Sequence, residues 1–210
     1  AIVFREGSVC CDGHPSRRVR FRDVTHAARL ERVALFATGF YRTPDIHYDR
    51  RLGRGRPFHY FAYGASIVEV EVDGFTGRHQ LLGVDILHDV GDSLAENIDV
   101  GQIEGGFVQG LGWLTSEELV WSRDGKLLTH SPDTYKIPTI GMIPARFRVG
   151  LLEGAREPGV VHGSKAVGEP PFMLAIAVLG ALEHAISSFG DDADAVHLAA
   201  ALLLREHAGN

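Results

Sequence analysis

The sequence predicts an α+β fold, with mixed sheet hairpins packed against helices, and three observations carry that reading. Residues 59–72, "HYFAYGASIVEVEV", end in an apolar/charged alternation, the period-two pattern of a strand with one wet face. Two long glycine-rich or apolar stretches, "VGQIEGGFVQGLGWL" and "FMLAIAVLGALEHAISSF", read as helices. Strands and helices mix without regular βα alternation, which disfavours a parallel doubly wound sheet.

In chain order, "AIVFREGS" opens like a strand, and a short strand around "RRVRFRDV" leads into a helix predicted from Asp23, a plausible N-cap, to Gly39. Residues 40–57 carry Pro44, Gly53, Gly55 and Pro57 and read as irregular. "DGFTG" has strong turn chemistry, and "RHQLLGVDILHDV" is the returning strand of the hairpin begun at 59–72. The helix over 100–114 holds several glycines, each costing roughly 1 kcal/mol against alanine. Gly106 and Gly110 stand four apart and share one face, so a backbone or a ligand must approach that face closely.

"TSEELVWSRDGKLLTH" predicts a second hairpin about Asp124-Gly125. Residues 131–145, with three prolines, form an ordered loop or passing strand, and "RFRVGLL" is a short strand. The loop 162–169 feeds a helix from Pro170, a residue tolerated in a first helical turn. That helix is apolar on nearly every face and is expected to be buried, and "DDADAVHLAAALLLREHA" also reads helical.

The 210 residues fit a single domain spanning 1–210, large enough to bury a core without metal or disulfide support. A net charge of −6 and pI near 6.0 argue against nucleic acid or an anionic membrane as a partner. Cys10 and Cys11 are adjacent, a poor arrangement for a mutual disulfide, so a reducing, cytoplasmic setting is the expectation. Glycine makes up 25 of the 210 residues, about 12% against an average near 7%.

Glu169 stands between a small-residue loop and the Pro170-Pro171 pair. The helix dipole favours a carboxylate there, whereas burial beside Val167, Phe172 and Met173 would disfavour the charge, and the sequence leaves open which wins. A helix-entry charge and a catalytic base both fit. Gln102 and Gln109 could satisfy a polar cofactor edge or ordinary backbone groups. No HxxxH, CxxC, P-loop or GxSxG pattern is present, so no protein-ligated metal is expected.

"GFYRTP", "FHYFAYGASIVEVEVDGFTG", "DVGQIEGGFVQGLGWLTSEEL", "TYKIP" and "SKAVGEPP" occur in the order seen in the molybdenum hydroxylases, and the chain resembles the xanthine dehydrogenase branch of that family from about residue 15 to 190. It departs in reading "AENID" where the family has "NPAID". The resemblance implies part of the second molybdopterin-binding domain of the large subunit. It implies Glu169 as the catalytic base, taking a proton so that a water-derived oxygen can attack an electron-poor carbon of a purine. Gln102 then lies near the molybdenum cofactor, and Gly101, Gly105 and Gly106 let backbone amides approach it. The metal is held by the pterin and by no protein side chain. Electrons leave through 2Fe-2S clusters and FAD to NAD or oxygen, in other domains or subunits. The implied partners are the remainder of the molybdenum subunit and an iron–sulfur/FAD subunit, in a hetero-oligomer inactive without them. An aldehyde or another N-heterocycle such as nicotinate is the alternative substrate, and a non-catalytic fragment or assembly partner the alternative of another class.

Overall fold

A computed structural model describes residues 1–189, so the predicted helix at 191–208 lies outside the described residues. The chain divides into two compact units, Ala1–Arg42 and a second from Thr43 onward.

In the first unit, β1 (Ile2–Arg5), β2 (Ser8–Cys11) and β3 (His14–Arg20) form an antiparallel meander followed by α1 (Phe21–Leu30). Glu6 and Gly7 both take positive φ, 47° and 68°, the backbone that a two-residue hairpin turn demands. Cys10 and Cys11 are both free thiols on β2. Helix α1 is shorter than predicted and starts earlier. Asp23 sits inside its first turn, not at its cap, and pairs with Arg20 at 2.7 Å. The helix stops because Arg32 adopts a left-handed φ of 57°. The Arg32 N–H then donates to the Arg29 carbonyl and the Val33 N–H to the Ala28 carbonyl, a Schellman closure with arginine in the usual glycine position.

The second unit opens with a small hairpin, β4 (His47–Asp49) and β5 (Arg54–Arg56), inside the stretch expected to be irregular. Its main sheet has β6 (Gly64–Val72), β7 (His79–His88) and β8 (Arg146–Leu151) in the order β6-β7-β8. The predicted hairpin is β6 and β7, antiparallel, closed by a turn in which the Asp73 carboxylate accepts the Phe75 N–H at 2.8 Å. Strand β8 joins β7 in parallel, and the connection between them contains α2 (Glu96–Thr115). Residues 115–130 keep only a narrow hairpin, a single Trp121–Leu127 bridge around Gly125 at φ 79°. Residues 131–145 are loop apart from one 3-10 turn, Ile140–Met142.

The chain past Glu169 enters a 3-10 turn, Pro170–Ala175, that runs directly into α3 (Ile176–Ser187). Pro170–Ser187 is long and apolar enough, by length and composition, to cross a membrane. Here Pro171, Ala175, Val178 and Leu182 of that stretch are buried in the core, while Met173 and Ile176 are exposed. One face is therefore buried, not every face as the sequence suggested.

The core lies between the sheet and these helices. Val84 and Ile86 follow the period of β7, Val90 lies just past it, and Ile103, Phe107, Leu111 and Leu114 follow the period of α2. Phe107 meets Phe147 of β8 edge-to-face at 5.5 Å, which locks helix to sheet. The resulting mixture of hairpin, parallel crossover and packed helices is the predicted α+β class.

Candidate functional site

Helix α2 presents glycines on two faces, and the two do different things. At Gly106 an added Cβ would stand 3.2 Å from Pro171 Cβ and 3.3 Å from the Phe172 nitrogen. At Gly110 it would overlap the Phe172 carbonyl oxygen and stand 2.7 Å from Ala175 Cβ. The approaching body is thus the backbone of the Pro170–Ala175 turn, which leaves Gly106 closed to any cofactor. Gly101 and Gly105 differ: both are exposed, with no atom within 4 Å of a built Cβ. They border a groove of about 490 Å³ shared with Glu104, Val108, Pro138 and Thr139.

Pro138, which ends the "TYKIP" segment, lines the far side of that groove with Thr139, Ile140 and Ile143. The Tyr135 hydroxyl donates to Glu117 Oε2 at 2.6 Å, and the carboxylate keeps that phenol protonated to higher pH than usual. Gly112 admits the Pro138 ring, which would stand 2.5 Å from a Cβ there. Two residues flanking the end of α2 therefore set the loop.

Gln102 and the loop bearing Glu169 come together. A Cβ on Gly168 would lie 3.3 Å from Gln102 Oε1. Glu169 itself stands at the N-cap position of the 3-10 turn, and its backbone carbonyl accepts the Phe172 N–H at 3.1 Å. Its side chain makes no capping hydrogen bond and is exposed. Of the two possibilities the sequence left open, burial beside Val167, Phe172 and Met173 is not found. Phe172 instead leans on Trp113 at 5.3 Å, and Met173 points outward. Gln109 is exposed on the same helix.

A buried ionic cluster lies upstream of Glu169, and sequence reasoning missed it. Lys165 Nζ lies 2.6 Å from Asp89 Oδ2 and 3.5 Å from Glu157 Oε2. It also donates to the Phe61 carbonyl at 3.0 Å. Burial would push the Asp89 carboxyl up, but the hydrogen bonds from Lys165 and the Gly91 N–H, with the lysine's charge, hold it below its usual range. Burial likewise works against the Lys165 ammonium, and the Asp89 contact outweighs it, leaving the lysine raised. The only signal in the sequence was a lysine inside "SKAVGEPP" and an aspartate after a strand. Among the described residues no group of three or more His, Cys, Asp or Glu side chains could hold a metal ion.

Residues 1–144 match the family described as the molybdopterin cofactor-binding domain. The chain is 51% identical over 175 residues to a xanthine dehydrogenase of Oryza sativa subsp. japonica, covering 80% of this chain and 13% of the relative. It is 51% identical over 166 residues to a xanthine dehydrogenase/oxidase of Felis catus, covering 79% and 12%. Among solved structures, quinoline 2-oxidoreductase from Pseudomonas putida 86 superposes with a TM-score of 0.66 at 27% identity, covering 89% of this chain and 23% of that one. An aldehyde oxidoreductase from Desulfovibrio desulfuricans gives 0.53 at 30% identity, covering 60% and 13%. The chain spans 12–13% of the length of these curated relatives.

Proposed function

The chain belongs to the molybdopterin cofactor-binding family of the molybdenum hydroxylases, and from that premise we propose that it forms one wall of a xanthine dehydrogenase-like active site. In this reading Glu169 is the general base. The observation that carries it is the meeting of Gln102 with the loop of Glu169, beside the open backbone of Gly101 and Gly105.

The residues present fit the cofactor. Two glycines without neighbours leave the α2 backbone open to a close-lying group. Gln102 offers one acceptor and two donors to a polar edge. When bound, the molybdenum cofactor supplies the two-electron redox chemistry and the site of oxygen transfer. Glu169, free of capping duty, holds its carboxylate oxygens ready to take the proton from the water-derived nucleophile. Its exposure in this chain means that the dry surroundings a base of this kind works in must come from surfaces that cover this wall.

The proposed substrate is a purine such as hypoxanthine or xanthine, supported by the names of the relatives about half identical to this chain. Electrons would leave through 2Fe-2S clusters and FAD to NAD in other domains or subunits, and the whole would be a hetero-oligomer. An aldehyde or another N-heterocycle is the second reading, favoured by the structural likeness to quinoline and aldehyde oxidoreductases. Assay of the holoenzyme against hypoxanthine, an aldehyde and nicotinate separates them.

Glu169→Gln in the molybdenum-loaded holoenzyme is expected to lower turnover by ~10²–10⁴ with molybdenum content unchanged. Unchanged turnover would remove Glu169 from the role. Failure of molybdenum to copurify with the chain would favour a non-catalytic part instead.

A further inference from the structure

The Lys165 side chain is 6% exposed and Asp89 3%, with Glu157 at 21%. A buried ammonium with two carboxylates is costly to assemble, and neutral apolar packing serves stability as well or better. Its placement offers another reason for it. Lys165 lies four residues before Glu169, and Asp89 lies just past β7, on the segment that leads into α2 and Gln102.

The two segments are stitched together around the ion pair. The Lys165 N–H donates to the Val90 carbonyl at 2.8 Å, and the Asp92 N–H to the Gly163 carbonyl at 2.9 Å. The Ala166 N–H donates to the Tyr60 hydroxyl at 2.8 Å. The rings of Tyr60 and Tyr63 flank the ammonium at 5.9 and 5.6 Å. Immediately before this, His162 and Gly163 take left-handed φ of 56° and 73°, so the backbone approaches the clamp through a strained bend.

We infer that Lys165 is the positioning residue for Glu169: it pins the loop 163–169 to the Asp89–Asp92 segment, which leads into the helix of Gln102, so that loop and helix meet. The inference rests on the proposed role of Glu169, but the hold on the loop can be measured without it. Only three residues separate the pinned Lys165 from the base. A loop of that length has little freedom once its start is fixed, and a misplacement of ~1 Å can cost ~10²-fold in rate.

The test uses Lys165→Met in the molybdenum-loaded holoenzyme. Amide exchange over residues 163–169 should quicken by about 10²-fold or more, the expected consequence of losing one partner of a buried pair. Turnover should fall by about 10²-fold while KM and molybdenum content stay near their starting values. Combined with Glu169→Gln, Lys165→Met should cost no further turnover, since it acts only through that carboxylate. The double variant Asp89→Asn/Lys165→Met removes the buried pair together, guards against misfolding from an orphaned Asp89 carboxylate, and leaves only the more exposed Glu157 without its cation. It should recover thermal stability while exchange stays fast and turnover low. Unchanged exchange at 163–169 in these variants would overturn the inference, as would an equal loss of turnover with and without Glu169→Gln. If Glu169→Gln alone keeps full turnover, the base assignment falls, and the exchange measurement still judges the hold of Lys165 on the loop.

Discussion

The two glycine faces of α2 should answer the same substitution differently. Gly105→Ala places a methyl where no atom lies within 4 Å, so only the gain in helix propensity remains, about 1 kcal/mol of added stability. Gly110→Ala gains the same propensity but drives its methyl into the Phe172 carbonyl and to 2.7 Å from Ala175 Cβ. Neither neighbour is the far end of a flexible side chain, so the Pro170–Ala175 turn itself must move. Overpacking of that kind costs about 1–3 kcal/mol. The propensity gain is common to both variants and cancels in their difference, which therefore reads the contact alone. For a chain of this size each kcal/mol moves Tm by about 2–4 °C, so Gly105→Ala should melt roughly 2–12 °C above Gly110→Ala. Gly106→Ala, with contacts of 3.2 and 3.3 Å, should fall between them. Paired thermal melts of the three variants under one buffer make the assay. Equal shifts for Gly105→Ala and Gly110→Ala would refute the assignment of packing to one face and openness to the other.

Ser66→Ala removes the 2.7 Å hydrogen bond that the Ser66 hydroxyl donates to the Leu174 carbonyl, joining β6 to the turn after Glu169, and should cost about 0.5–1.5 kcal/mol by urea denaturation. His88 is fully buried with both ring nitrogens unpartnered, and burial pushes its proton affinity down despite the opposing charge of Asp89. The unfolded chain then binds more protons than the folded one once the pH drops below about 6.5, so stability is intact above that value and declines as the pH falls towards the folded-state value. His88→Leu should flatten this acid slope in pH-dependent melting without abolishing it, because His79, also pushed down by burial, titrates in the same window.

Much of the second unit was legible because its signals are local. The β6–β7 hairpin followed from alternation plus "DGFTG", and α2 was read as a helix despite its glycines. The end of α1 was not legible, since a left-handed arginine at position 32 has no counterpart in propensity rules, which reserve that place for glycine. The surroundings of Glu169 stayed open in the sequence for a different reason. Apolar neighbours in sequence do not bury a residue when the turn they belong to sends Pro171 and Ala175 inward and Met173 outward. The Lys165 cluster was invisible because its two closest partners, Phe61 and Asp89, come from distant stretches and only Glu157 lies nearby in sequence. The resemblance named Glu169, Gln102, Gly101 and Gly105, and the fold brings the Glu169 loop to Gln102 and leaves Gly101 and Gly105 open on the same helix.

The glycines of α2 thus serve two ends, and separating them changes how the site is understood. Gly101 and Gly105 leave the α2 backbone open, whereas Gly106 and Gly110 let the turn after Glu169 sit directly on α2. Glu169 is consequently held from both sides: upstream by the Lys165 ion pair, four residues away, and downstream by a turn whose backbone rests on glycine. Its own side chain contributes nothing to that hold, since it makes no capping hydrogen bond. A carboxylate that is fixed by its flanks and otherwise unengaged can spend its oxygens on a proton. That division of labour suits the general base proposed for Glu169, an exposed carboxylate on a closely packed support.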